Sequence, residues 1–193
     1  MDEAVHAAEV DEGTEVHDRR DHTTADLARL QVGEELVALL NDLFSRFDRL
    51  TEHHGLEKIK TIGDGYLAAA GLPEHQIDHV DRAVLMGLDI VGAIPSLRDE
   101  LGIIVDVRVG VHTGPVLAGV IGVHKPFYDI WGDTVNVASR LEKNGALGRV
   151  HISDDVRQAL SGRFQFEDRG PIELKNRGSV NTWFVDWPSA RAG

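Results

Sequence analysis

An α+β fold with the element order β-α-β-β-α-β is predicted for this chain by three observations. Apolar residues recur at helical spacing from Gly33 to about His54, and again from Asp78 to about Leu97. Between these helices two short runs flank a Gly63-Asp64-Gly65 break, the signature of a hairpin. After the second helix, Ile103 to His112 largely alternates apolar and polar side chains, as a strand does. One strand is owed before the first helix.

In the first helix Leu36, Leu40, Leu43, Phe47 and Leu50 form the apolar stripe, Val37 and Phe44 widen it, and Gly55 ends it. Lys58 to Ile62 and Tyr66 to Ala70 are the hairpin strands, with Asp64 at the tip. Asp at such a position is ordinarily a turn residue, so alone it points to no chemistry. Val80, Val84, Leu88 and Val91 share one face of the second helix. In the next strand Val105, Val107, Val109 and Val111 alternate with Asp106 and Arg108, the pattern of a central strand. Val116 to Ile121 is a further apolar strand and Gly122 to Pro126 a turn. Phe127 then opens a strand that breaks at Gly132-Asp133 into a helix carrying Asn136 and Arg140. Arg149 to Ile152 reads as a strand, Ser153 as the cap of a short helix through Leu160, and Phe164 to Phe166, Ile172 to Leu174 and Thr182 to Trp187 as closing strands. The order is that of a ferredoxin-like core with a C-terminal α/β extension.

Asn136 and Arg140 are four apart, so both side chains project from one helix face, with Asp129 just before the turn that leads into it. A carboxylate, an amide and a guanidinium at a strand-turn-helix junction suit a phosphate-bearing ligand. Taken alone, the same residues suit a capped helix with a surface ion pair equally well.

Composition narrows the function classes. The chain has 193 residues, 42% of them hydrophobic, enough for one compact domain. It has no cysteine, which excludes disulfides, thiolate nucleophiles and cysteine-ligated zinc. A formal charge of −12 argues against a nucleic-acid partner. No apolar run is long enough to span a bilayer and no signal peptide is evident, so a cytoplasmic location is expected. Residues 1–26 hold nine acidic and two basic residues and almost no large apolar side chain. Residues 1–32 are therefore expected to be an acidic, solvated or atypical segment ahead of a domain at 33–193. His6, His17 and His22 lie among these acids and are expected to be solvated with them.

Three stretches in order, Glu57 to Asp64, Arg108 to Pro115 and Phe127 to Arg140, resemble the catalytic domain of class III nucleotidyl cyclases. The resemblance runs from about Gly33 to Trp187. It implies a head-to-tail dimer with active sites at the subunit interface and two divalent metals, Mg²⁺ or Mn²⁺, per site. It also implies conversion of a nucleoside triphosphate to its 3′,5′-cyclic monophosphate and pyrophosphate. By match to the family motifs, Asp64 is a metal carboxylate, Asn136 orients the ribose and Arg140 stabilises the reacting phosphate. Lys60 and Asp129 occupy the purine-reading positions, and Lys175 resembles the lysine that holds the triphosphate. Arg108 and His112 receive no role.

Base choice follows from donors and acceptors. Adenine offers N1 as acceptor and its 6-amino group as donor, complementary to a lysine and an aspartate. Guanine presents N1–H and O6, the opposite pattern, so ATP is expected over GTP.

The chain departs from the family at its N-terminus. A first apolar strand there usually ends in a Phe-Ala-Asp-Ile-like motif whose aspartate holds the second metal. Counting back from Glu34-Glu35 reaches Arg20 and Asp21, in a stretch that is neither apolar nor strand-like. The usual first strand is thus expected to be missing, with Asp21 the candidate second ligand. Three readings stay open: an adenylate cyclase homodimer that uses Asp21, a subunit completed by a heterodimer partner that retains both carboxylates, or a nucleotide-binding or merely dimerising domain without turnover.

Overall fold

The computed structural model of the chain describes residues 2–12, 22–102, 105–160, 164–174 and 178–187. In chain order its elements are β1 (Asp2–Glu12), α1 (His22–His54), β2 (Glu57–Ile62), β3 (Gly65–Ala70), α2 (His79–Leu101), β4 (Val105–Pro115) and β5 (Leu117–Ile121). They continue with β6 (Phe127–Trp131), α3 (Asp133–Lys143), β7 (Val150–Ser153), α4 (Asp154–Ala159), β8 (Gln165–Leu174) and β9 (Gly178–Asp186). Seven strands form one sheet in the order β2-β3-β1-β4-β7-β9-β8, and β5 with β6 forms a separate hairpin. The α+β class and the β-α-β-β-α-β core are as expected, and β7 to β9 with α4 make the C-terminal extension.

Within residues 1–32, expected to be a solvated or atypical segment lacking the usual first strand, the described residues 2–12 do form a strand, and residues 13–21 lie outside the described residues. Asp2–Glu12 is β1, antiparallel to β3 on one side and to β4 on the other. A strand paired along both edges gains a full set of backbone hydrogen bonds. It therefore does not advertise itself through large apolar side chains. Helix α1 likewise begins at His22, ahead of the expected Gly33.

The sheet has two differently covered faces. On one, Val105, Val107, Val109 and Val111 of β4 and Tyr66, Ala68 and Ala70 of β3 pack with Leu43 and Phe47 of α1 and Met86 and Ile90 of α2. The valine alternation in the sequence is this face of β4, seen at period two. On the other face Leu67 and Ala69 of β3 pack with Ile130 of β6 and Ala138 of α3.

Position 110 sets how closely α3 approaches that second face. A β-carbon there would stand 2.3 Å from the Glu142 backbone nitrogen and 2.4 Å from the Ala138 carbonyl oxygen. Only glycine lets helix and strand meet at this distance.

Candidate active site

The hairpin of β2 and β3 carries Lys60 and Asp64. Its turn is the pair Gly63-Asp64, with Gly63 at a φ of +62°, a left-handed conformation that glycine adopts without strain. Asp64 is exposed at the tip. In the neighbouring strand β1 the residue in register with Gly65 is Glu9, so the backbone of β1 runs directly beside this turn.

Lys60 crosses to β6. Its Nζ donates to Asp129 Oδ2 at 2.6 Å, joining residues 69 apart in sequence. Asp129 is buried, at 4% exposure, and its Oδ1 accepts the Ile130 backbone N–H at 2.8 Å. A buried carboxylate needs such partners, because an unpaired one would carry a large desolvation cost. Lys60 remains half-buried.

Helix α3 carries Asn136 and Arg140. Thr134 in its first turn is buried and donates through Oγ1 to the Pro115 carbonyl at 2.7 Å, tying the helix start to the end of β4. Val137, Ala138 and Leu141 are its buried stripe. Asn136 is exposed and Arg140 half-buried. Neither side chain forms a hydrogen bond or ion pair with the other described residues. Asp64 likewise makes none with Lys60, Asp129, Asn136 or Arg140.

Of the expected site residues, the fold thus brings Lys60 and Asp129 into contact, sets Asn136 and Arg140 on one helix and leaves Asp64 at a turn. Asp21 and Lys175 lie outside the described residues. Among the described residues no group of three or more His, Cys, Asp or Glu side chains could hold a metal ion. The oxygen-only character of Asp64 and its open position suit a hard divalent cation completed by other ligands.

Arg108 and His112 belong to packing. Arg108 Nε donates to the buried Glu142 Oε1 at 3.2 Å, bracing β4 against α3. His112 is buried, with Nδ1 2.7 Å from Ser153 Oγ. Sequence reasoning passed over Gly110 and Thr134 as positioning residues. Their only signal was a glycine interrupting the apolar strand and a threonine in the first turn of the helix.

Two buried rings have displaced titrations. Burial, before any other cause, pushes the Tyr66 hydroxyl above its ordinary value, and the Asp48 carboxylate it bonds adds to this. Burial also pushes His151 down to about 4, against the opposing effect of its hydrogen bond to the Leu141 carbonyl.

The adenylate and guanylate cyclase catalytic domain family matches residues 21–186. An adenylate cyclase of Mycobacterium tuberculosis is 42% identical over 151 residues, covering 78% of this chain and 34% of that protein. The guanylate cyclase soluble subunit beta-2 of Rattus norvegicus is 40% identical over 153 residues, covering 78% of this chain and 22% of that protein. The chain thus spans about a third or less of the length of these relatives. The crystal structure of the guanylate cyclase domain of RhGC from Catenaria anguillulae in complex with GTP is similar at a TM-score of 0.82 and 33% identity, covering 97% of each chain.

Proposed function

Because the chain belongs to the adenylate and guanylate cyclase catalytic domain family, we propose that it converts ATP to 3′,5′-cyclic AMP and pyrophosphate. The observation that carries the choice of ATP is the Lys60–Asp129 pair at 2.6 Å. An ammonium has three donors and a carboxylate about four acceptor positions, so each keeps capacity after satisfying the other. Lys60 then donates to adenine N1 while Asp129 accepts from the 6-amino group. Guanine at the same place would set its N1–H against an ammonium and its O6 against a carboxylate, leaving buried polar groups mismatched.

The reaction is an in-line displacement. The ribose 3′-hydroxyl loses its proton to solvent water, its oxygen bonds the α-phosphorus, and the bond from that phosphorus to the bridging oxygen of pyrophosphate breaks. Asn136 orients the ribose. Arg140, four residues on, offers its guanidinium to charge developing on the phosphoryl oxygens. Lys175 holds the triphosphate. Two divalent cations, Mg²⁺ or Mn²⁺, would supply Lewis acidity at the hydroxyl and charge neutralisation at the phosphates. Asp64 and Asp21 would hold them.

In a head-to-tail homodimer Asp64 need not contact Asn136 or Arg140 of its own chain, because the partner subunit's Asp64 then serves the nucleotide bound by α3. Exposed apolar residues support association. Leu117, Val120, Ile121 and Phe127 on the β5–β6 hairpin are each half or more exposed, an unusual grouping for a surface that stays in water.

A second reading is favoured by β1. At the register of Gly65 it carries Glu9, without the Phe-Ala-Asp-Ile-like motif of the family. A chain short of one metal carboxylate would act as a heterodimer partner or nucleotide-binding subunit without turnover of its own.

The test is purified protein with ATP and Mn²⁺. Cyclic AMP and pyrophosphate in equal amounts, reduced at least about 10²-fold by Arg140→Ala, are expected for the first reading. Product no greater than that of Arg140→Ala, restored by mixing with a cyclase that has both carboxylates, would establish the second. Metal dependence unchanged by Asp21→Ala would dismiss Asp21 as a ligand.

A further inference from the structure

Strand β2 sorts two lysines to two carboxylates on opposite faces of the sheet. The Cα partner of Lys58 is Ala68 and that of Lys60 is Leu67, so Ile59 is an extra residue in the ladder. Ala68 belongs to the core beneath α1 and α2, Leu67 to the cluster beneath β6 and α3. In an unbroken strand residues two apart share a face, and across this bulge they do not. Lys58 accordingly reaches Asp48 on α1, its Nζ 2.6 Å from Oδ1 and 2.8 Å from Oδ2. It also stands 5.2 Å from the centroid of the Tyr66 ring. The Tyr66 hydroxyl donates to the same Asp48 Oδ1 at 2.7 Å and meets Thr51 Oγ1 at 2.9 Å. Lys60 reaches Asp129 on the other side.

A regular ladder lies one step away. Slipping Lys60 to Ile62 by one place against β3 would set Ile59 opposite Leu67, in the cluster it already packs with. It would set Lys60 opposite Tyr66, on the face of Asp48. The two-residue turn would become three residues long, a length hairpins also use. Two charges oppose the slip: Asp48 is already engaged by Lys58 and Tyr66, and buried Asp129 would lose its cation.

We propose that Lys58 is a positioning residue for the base-reading Lys60. By occupying Asp48 it removes the competing carboxylate from the wrong face and holds β2 in the bulged register. The inference rests on Lys60 and Asp129 reading the purine.

The experiment measures binding of 3′-deoxy-ATP and 3′-deoxy-GTP, which lack the attacking hydroxyl, so turnover is not required. Variants are Lys58→Met, Asp48→Asn, the two combined, and Lys60→Ala as control, with thermal unfolding recorded for each. Lys58→Met frees Asp48 to draw Lys60 across, and is expected to weaken 3′-deoxy-ATP binding about fivefold to tenfold and lower its preference over 3′-deoxy-GTP in step. Asp48→Asn and the double variant carry no competing charge and are expected within about twofold of the unsubstituted protein. A pair that only stabilises the fold predicts equal losses from Lys58→Met and Asp48→Asn, so equal losses, or no loss from Lys58→Met, overturn the proposal. Unchanged binding in Lys60→Ala, or no discrimination by the unsubstituted protein, overturns the base reading and the proposal with it. Weakening by Lys60→Ala but not by Lys58→Met overturns the positioning role alone.

Discussion

Gly110 and Glu142 meet backbone to strand, with no room for a β-carbon between the sheet and helix α3: the added atom would lie 2.3 Å from the Glu142 nitrogen. Gly110→Ala is therefore expected to push α3 outward and displace Asn136 and Arg140 with it. Overpacking of this kind costs about 1–3 kcal/mol. A misplacement near 1 Å can cost about 10²-fold in rate. The check is a lower unfolding midpoint together with a fall in kcat larger than any change in KM for ATP.

The Lys60–Asp129 pair separates stability from selectivity. Lys60→Met leaves a buried carboxylate without its cation and is expected to destabilise the fold by about 1–3 kcal/mol, while raising KM for ATP. Adding Asp129→Asn removes the orphan charge. Denaturant unfolding of the double variant should recover most of the lost stability, whereas its preference for ATP over GTP should stay low. Recovery of both would mean that the pair does not read the base.

Acid should weaken the fold through His151. Its Nδ1 lies 2.6 Å from the Leu141 carbonyl oxygen, which can only accept, so Nδ1 carries the proton. Nε2 is buried with no hydrogen-bond partner among the described residues. A second proton on Nε2 would create a buried charge whose N–H has no acceptor, consistent with a ring pushed down to about 4 by burial. Between the ordinary histidine value and about 4 the unfolded chain takes up a proton that the folded chain refuses. Stability is therefore flat above this window and falls as pH drops through it, by up to about 3 kcal/mol. Urea unfolding at pH 7, 5.5 and 4.5 should show a slope that is smaller in His151→Gln.

Association should depend on the β5–β6 hairpin. Val120 is 67% exposed, so Val120→Glu costs the folded chain little by itself. It is expected to shift the protein toward monomer in sedimentation experiments and to lower cyclase activity most at low protein concentration. An unchanged sedimentation coefficient and activity would exclude this surface from the dimer.

Much of the fold was legible because one-sided burial leaves a period in the sequence. The valines of β4 and the stripe of α1 are such cases, and the hairpin of β2 and β3 announced itself through its Gly-Asp-Gly turn. β1 was not legible, since pairing on both edges is a property of the backbone and Asp2–Glu12 is short of large apolar residues. The bulge at Ile59 left no mark either, because no glycine or proline accompanies it. Lys60 and Asp129 could be named as a pair only through the family motif. Their contact spans 69 residues and depends on a face change that regular alternation would not predict.

The position of β1 bears on how the two halves of the site are held together. In the sheet order the β2–β3 hairpin joins the remaining strands through β1 alone. Lys60 and Asp64 are thus carried on a hairpin joined to the rest of the sheet at β1, and packed through Leu67 and Ala69 against the helix that carries Asn136 and Arg140. Amide hydrogen exchange in Gly65–Ala70 should accordingly slow and quicken together with exchange in Asp2–Glu12.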